Sequence, residues 1–223
     1  MESMEKIFSK EILDRIESSG IIAVLVVDDP NDAVPVARTL LEGGVNVMEL
    51  ALRTEHSLEA LARILKEVPE MLAGVGTILS PEQAKMAKEA GAAFGVSPGL
   101  QRSVLEKAIE LRFPFAPGLL TPSEIELALS YGCRNVKLFP AGPMGGMNYI
   151  KAIHAPYAHL GVRFIPLGGV NIDNLGSYVE HPSILAAGGS WLAPRKAIQN
   201  KDWNTIRDNT RAAVEKIKAV RAK

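Results

Sequence analysis

The chain has 223 residues, 47% hydrophobic and 22% charged, which is enough apolar material for one full core. Its 25 basic residues balance its 25 acidic ones, so whole-chain charge gives no argument for nucleic acid or a membrane as partner, and attraction to an anion must come from local groups. A single cysteine, Cys133, excludes an internal disulfide framework, and no stretch approaches the ~18–20 continuous apolar residues of a membrane span; a soluble, cytoplasmic protein is the expectation.

Residues 1–18 are charged and helical in pattern, without the apolar core of a signal peptide, and predict a leading helix. Short apolar runs rich in β-branched or bulky residues then alternate with amphipathic segments. The runs fall at 21–27, 45–50, 71–75, 94–96, 114–116, 135–139, 163–167 and 184–187. Between them lie helix signals. Pro30-Asn31 opens one helix and Gly43-Gly44 closes it; Ser80-Pro81-Glu82 is an N-cap with proline at the first helical position, and Gly91 ends that helix. Thr121-Pro122-Ser123-Glu124 repeats the start, with Gly132 at the far end. Alternation of strand and helix means parallel strands joined by right-handed crossovers. Eight units fit a closed (β/α)₈ TIM barrel with an extra N-terminal helix better than an open doubly wound sheet. No linker or composition break divides 1–223, so one domain is expected.

In such a barrel, function sits at the carboxyl ends of the strands. The second run carries Glu49 and Arg53 with inward parity. They can form an ion pair closing the barrel end, or serve as a proton-transfer carboxylate and a guanidinium that takes a substrate carboxylate in a bidentate fork. The third run ends Gly74-Val75-Gly76-Thr77, where glycines allow close approach and Thr77 offers a hydroxyl. The sixth run reads Asn135-Val136-Lys137-Leu138-Phe139-Pro140, which places Lys137 and Phe139 on the face opposite Val136 and Leu138. A lysine in an apolar strand is either salt-bridged in the interior or a nucleophilic amine able to form a Schiff base with a ketone. Late in the chain, Gly168-Gly169 and Gly188-Gly189-Ser190 follow the seventh and eighth runs. Loops at those places commonly bind phosphate through backbone N–H groups; the alternative is two tight turns. The four histidines show no zinc spacing. Cys133 reads as structural, and 141–146 as a loop beside Lys137.

With these pieces in place, the chain resembles the bacterial 2-dehydro-3-deoxy-phosphogluconate / 4-hydroxy-2-oxoglutarate aldolase family from about Ile21 through the terminal helices. The resemblance is carried by Glu49-Leu50-Ala51-Leu52-Arg53-Thr54, Gly74-Val75-Gly76-Thr77, Val96-Ser97-Pro98-Gly99, Val136-Lys137-Leu138-Phe139-Pro140-Ala141, Gly168-Gly169-Val170 and Gly188-Gly189-Ser190-Trp191, in that order. It implies a class I aldolase that needs no cofactor or metal, forms a homotrimer and acts on a small 2-keto-3-deoxy acid. Lys137 would then be the Schiff-base lysine and Glu49 the general acid/base. The resemblance also implies that Arg53 and Thr77 hold the pyruvyl carboxylate, that Pro98 and Phe139 wall the pocket, and that Gly168, Gly169, Gly189 and Ser190 surround the distal phosphate. Some family members carry a base just after the first strand. Here that region reads Leu25-Val26-Val27-Asp28-Asp29, two acids and no base, which implies a weakened preference for phosphate and acceptance of both the phosphorylated six-carbon and the unphosphorylated five-carbon acid. Three rivals are open, of which a metal-dependent aldolase would show clusters of metal ligands. A phosphosugar isomerase or a non-catalytic phosphate-ligand-binding barrel would use the late glycine pairs but would not require Lys137.

Overall fold

The computed structural model describes residues 3–222. The predicted leading helix divides into two, Met4–Ile7 and Lys10–Ser19; its first two positions, Met1 and Glu2, lie outside the described residues. The division falls at Phe8-Ser9 because Ser9 is extended and its side chain accepts the Ile12 amide, so it caps the second helix rather than continuing the first. Gly20, left-handed at φ 68°, ends that helix and turns the chain into the first strand.

Among the described residues nine strands follow: β1 (Ile21–Leu25), β2 (Val47–Ala51), β3 (Leu72–Gly76), β4 (Gly95–Val96), β5 (Phe115–Ala116), β6 (Gly118–Leu119), β7 (Asn135–Leu138), β8 (Arg163–Pro166) and β9 (Ala187–Gly189). Their pairings are parallel, in a six-stranded sheet ordered β5-β4-β3-β2-β1-β9 and a three-stranded sheet ordered β6-β7-β8. The predicted fifth run is therefore one extended segment serving both sheets. Phe115–Ala116 pairs with β4, Gly118–Leu119 pairs with β7, and the Pro117 carbonyl between them accepts the Lys137 amide at 2.9 Å. Proline has no N–H to give to a ladder, which breaks the strand there without breaking the chain's course. On the other side, a parallel bridge between Phe164 and Ile184 joins β8 to the segment leading into β9. The eighth stave thus begins where its run predicts but is regular only from Ala187. The result is a parallel sheet curled on itself with helices outside. Among these helices, Pro81–Glu89 is capped by Ser80, and Pro122–Ser130 by a Thr121–Glu124 capping box, as their sequences predict.

Curling gives the strands two faces and the molecule two apolar clusters. Met48, Leu50, Ala73, Val75, Val136 and Leu138 point outward under the helices. Ile22, Val47, Leu72, Phe94, Val96 and Ile165 point inward. Phe8 and Ile16 from the N-terminal helices belong to the inner cluster, with Ile12 and Leu13 packed against it. The leading segment therefore plugs the amino ends of the strands and leaves their carboxyl ends as the open end. Cys133 sits in the outer cluster, and burial pushes its thiol up to about 12. A thiol reagent at about pH 8, which reacts with thiolate, should leave the native protein unmodified and label it only on unfolding; stoichiometric labelling under native conditions would contradict this placement.

Candidate active site

Two charged side chains occupy inward positions that apolar residues fill elsewhere. Glu49 lies in β2, in register with Val24 on β1 and Gly74 on β3; Lys137 lies in β7, in register with Gly118 and Ile165. They come from different sheets, 88 residues apart in sequence, and the Lys137 Nζ donates to Glu49 Oε1 at 3.2 Å. Lys137 is 5% exposed and Glu49 2%. The Lys137 ammonium also lies 5.7 Å from the centre of the Phe139 ring, two residues further along the same face. An amine and a carboxylate in direct contact, screened from bulk water, can pass a proton between themselves and any group that enters beside them.

The carboxylate reaches this place because of a glycine. A Cβ on Gly76, at the end of β3, would stand 1.6 Å from Glu49 Oε1 and 2.4 Å from its Cδ. Only a residue without a side chain leaves the volume that the Glu49 carboxylate fills. The next residue, Thr77, has φ 61°, a left-handed conformation uncommon for a β-branched residue. Strain of this kind persists where surrounding structure over-determines it, and it collects at functional sites; here it stands one residue from the glycine that seats the carboxylate.

A cavity of about 570 Å³ opens above the pair at the carboxyl ends of the strands. Glu49, Arg53, Lys137, Phe139, Gly168 and Ser190 line it, so six of the residues singled out in the sequence meet in one place. Thr77, Pro98, Gly169 and Gly189 do not line it. Gly169 and Gly189 each adjoin a residue that does. The Pro98 carbonyl packs over Gly118, the register partner of Lys137. Of the two alternatives for Glu49 and Arg53, the ion pair between them is not formed: Glu49 turns to Lys137 across the curled sheet, while the Arg53 guanidinium has no hydrogen-bond or ion-pair partner among the described residues. The 141–146 loop is tied down where it begins, the Ala141 and Gly142 amides donating to the Leu167 and Gly168 carbonyls at 2.8 and 2.7 Å.

Sequence reasoning missed one part of the cavity wall. Arg195, at the start of the helix Arg195–Gln199, lines the cavity. It grips Asp28 with a fork: Nε donates to Oδ2 at 2.8 Å and Nη2 donates to Oδ1, while Gln199 Nε2 donates to Oδ2 at 2.8 Å. The Arg195 guanidinium holds the Asp28 carboxyl below its ordinary range, against the opposing effect of burial. Asp28 is therefore not a bare acid beside the cavity. Asp29 is turned aside as well, its side chain accepting the Asn31 amide at 2.9 Å. Nothing local in the sequence pairs positions 167 residues apart; a signal was available only in the Arg195-Lys196 doublet following Pro194 soon after the late glycine pair. Trp191 also lines the cavity, and its buried Nε1 has no hydrogen-bond partner among the described residues.

The chain is similar to known proteins along most of its length. The family model described as KDPG and KHG aldolase matches residues 12–209. The KHG/KDPG aldolase of Escherichia coli (strain K12) is 42% identical over 200 residues, 90% of this chain and 93% of that one. The 2-dehydro-3-deoxy-phosphogluconate aldolase of Dickeya dadantii (strain 3937) is 40% identical over 206 residues, 92% of this chain and 96% of that one. Among solved structures, the KDPG aldolase of Legionella pneumophila with pyruvate captured at low pH as a covalent carbinolamine intermediate superposes with a TM-score of 0.86. It is 35% identical, and the match covers 90% of this chain and 97% of that one.

The Gly76 geometry makes a prediction of its own. In Gly76→Ala the new methyl must displace the Glu49 carboxylate, because it would press on a group packed against Lys137 and not on a freely moving chain end. A crystal structure of the variant should show Glu49 rotated away and out of hydrogen-bond reach of Lys137, with the strand otherwise in place. A structure in which the two side chains still touch would contradict the account.

Proposed function

The chain belongs to the KDPG and KHG aldolase family, and on that premise we propose that the cavity cleaves both substrates through a Schiff base on Lys137. The enzyme is a class I aldolase. Its reaction releases pyruvate, together with glyceraldehyde 3-phosphate from 2-dehydro-3-deoxy-6-phosphogluconate or with glyoxylate from 4-hydroxy-2-oxoglutarate. The observation that carries the residue assignment is the buried Lys137–Glu49 contact at 3.2 Å on the floor of the cavity. What separates this reading from an isomerase or a binding protein for phosphate ligands is the covalent imine, which neither of those would form with its ligand.

In this reading the Lys137 amine adds to the C2 ketone, and Glu49 moves protons while the carbinolamine forms and loses water. The resulting iminium withdraws electrons from the C3–C4 bond. Glu49 takes the proton of the C4 hydroxyl, that bond breaks, and the aldehyde departs. The remaining enamine is protonated at C3, and water hydrolyses the imine to pyruvate and free Lys137. Arg53 anchors the pyruvyl carboxylate, which suits a guanidinium with no partner of its own among the described residues. Thr77, Pro98 and Phe139 complete that end, and Gly168, Gly169, Gly189 and Ser190 the distal one. The curled sheet is read as a closed eight-strand barrel on the same premise. A homotrimer in the cytoplasm, with no nucleic acid or membrane partner, completes the proposal; the exposed Leu79 and Met86 offer apolar surface for such an assembly.

Pyruvate release from each substrate tests the assignment. Lys137→Arg should be inactive, since a guanidinium stays protonated and cannot form an imine. Glu49→Gln should lose about 10²–10⁴ in turnover, the usual contribution of a positioned acid/base. Arg53→Lys should raise KM, because a point charge cannot reproduce the fork. Near-normal turnover in Glu49→Gln would return that residue to a purely structural ion pair.

A further inference from the structure

The Asp28–Arg195–Gln199 cluster is not used by the chemistry above, yet one of its members, Arg195, lines the same cavity and the other two hold it there. Exposed ion pairs contribute little to stability, with a typical range of about 0–1 kcal/mol. The Arg195 side chain is 55% exposed and that of Asp28 32%, so stability alone gives a weak reason for three side chains to converge there. What the cluster does accomplish is orientation. A long guanidinium normally samples many rotamers, and fixing it before a ligand arrives removes an ordering cost of about 0.5–1.5 kcal/mol from binding. Asp28 takes one N–H from Nε and one from Nη2, which leaves three of the five guanidinium N–H bonds available. Ser190 lines the cavity on the segment that leads to Arg195, while Lys137 and Glu49 form its floor. Arg195 therefore belongs to the distal wall, not to the reacting centre.

We propose that Arg195, held in place by Asp28 and Gln199, reads the charge at the distal end of the substrate, and that Asp28 sets how strongly it does so. This rests on the aldolase reading of the preceding section. The cation comes from the segment after β9 rather than from the residues after β1, and it arrives with its own counter-charge. An anionic tail gains directed hydrogen bonds from Arg195 but meets a nearly neutral pair, so an added phosphate improves binding by less than a free arginine would allow. Removing either member of the pair should then shift selectivity in opposite directions. A merely structural cluster would lower it in both cases.

The experiment compares kcat/KM for 2-dehydro-3-deoxy-6-phosphogluconate with that for 2-dehydro-3-deoxygluconate, which differs only in lacking the phosphate. The ratio of the two is measured in wild type, Arg195→Gln and Asp28→Asn. Asparagine keeps an acceptor oxygen for Arg195 while removing the counter-charge. Arg195→Gln should lower the ratio roughly tenfold, mainly through KM of the phosphorylated substrate, as expected for loss of a charge-assisted hydrogen bond. Asp28→Asn should raise the ratio about threefold, an effect that fades as salt is added. An unchanged ratio in Arg195→Gln, or a fall in both variants, overturns the inference while leaving the aldolase reading intact. Failure of the wild type to release pyruvate from both 2-dehydro-3-deoxy-6-phosphogluconate and 4-hydroxy-2-oxoglutarate overturns the aldolase reading, and this inference with it.

Discussion

Burying an ammonium and a carboxylate is expensive: the penalty is several kcal/mol per ion even after the protein relaxes, and mutual attraction offsets it only when the geometry is good. Lys137 and Glu49 meet that condition by approaching from opposite sheets of a curled wall, and much of the architecture reads as the means of bringing them there. Parallel pairing sets both at inward positions. Gly76 gives up a side chain so that the carboxylate has a place to lie. Phe8 and Ile16 close the amino ends of the strands, which leaves the carboxyl ends as the approach to the pair along the inner face. Truncating one partner of such a pair would leave the other uncompensated, at a cost of about 3–5 kcal/mol.

The cavity's two arginines are prepared in different ways, and the difference suits different tasks. Arg53 is exposed and unpartnered among the described residues, which suits the proposed role of closing on the carboxylate that every substrate of the reaction carries. Arg195 is already engaged by Asp28 and Gln199. Binding energy spent on the invariant end of a substrate positions the ketone against Lys137, whereas binding energy at the variable end decides which tails are accepted. On the proposal made above, a partnered arginine at the variable end makes acceptance less dependent on tail charge.

Much of this was legible in the sequence, and the reasons are physical. The period of two along Asn135–Leu138 identifies Lys137 as inward, because Val136 and Leu138 take the outer face. The caps at Ser80 and Thr121 are local hydrogen-bond chemistry and appear where the residues predict. Strand ends were less legible. β4 and β5 are two residues long, and the fifth segment changes sheets at Pro117, a division governed by curvature that no run of apolar residues records. The leading helix breaks at Ser9 because a cap competes with continuation, a contest that amphipathic pattern alone does not decide. Least legible were the pairings. Glu49 and Arg53 share parity four residues apart, yet Glu49 binds a lysine 88 residues away, and Asp28 binds an arginine 167 residues away. Long-range ion pairs depend on closure of the sheet, and their residues carry no mark of it.

The central claim is that the buried amine beside Glu49 forms the covalent bond to pyruvate. It is tested most directly by incubating the enzyme with pyruvate, reducing with borohydride and mapping the product by mass spectrometry. The account predicts one reduced pyruvyl adduct per chain, on Lys137, and no adduct in Lys137→Arg. An adduct on a different lysine, or none on the wild-type chain, would contradict it.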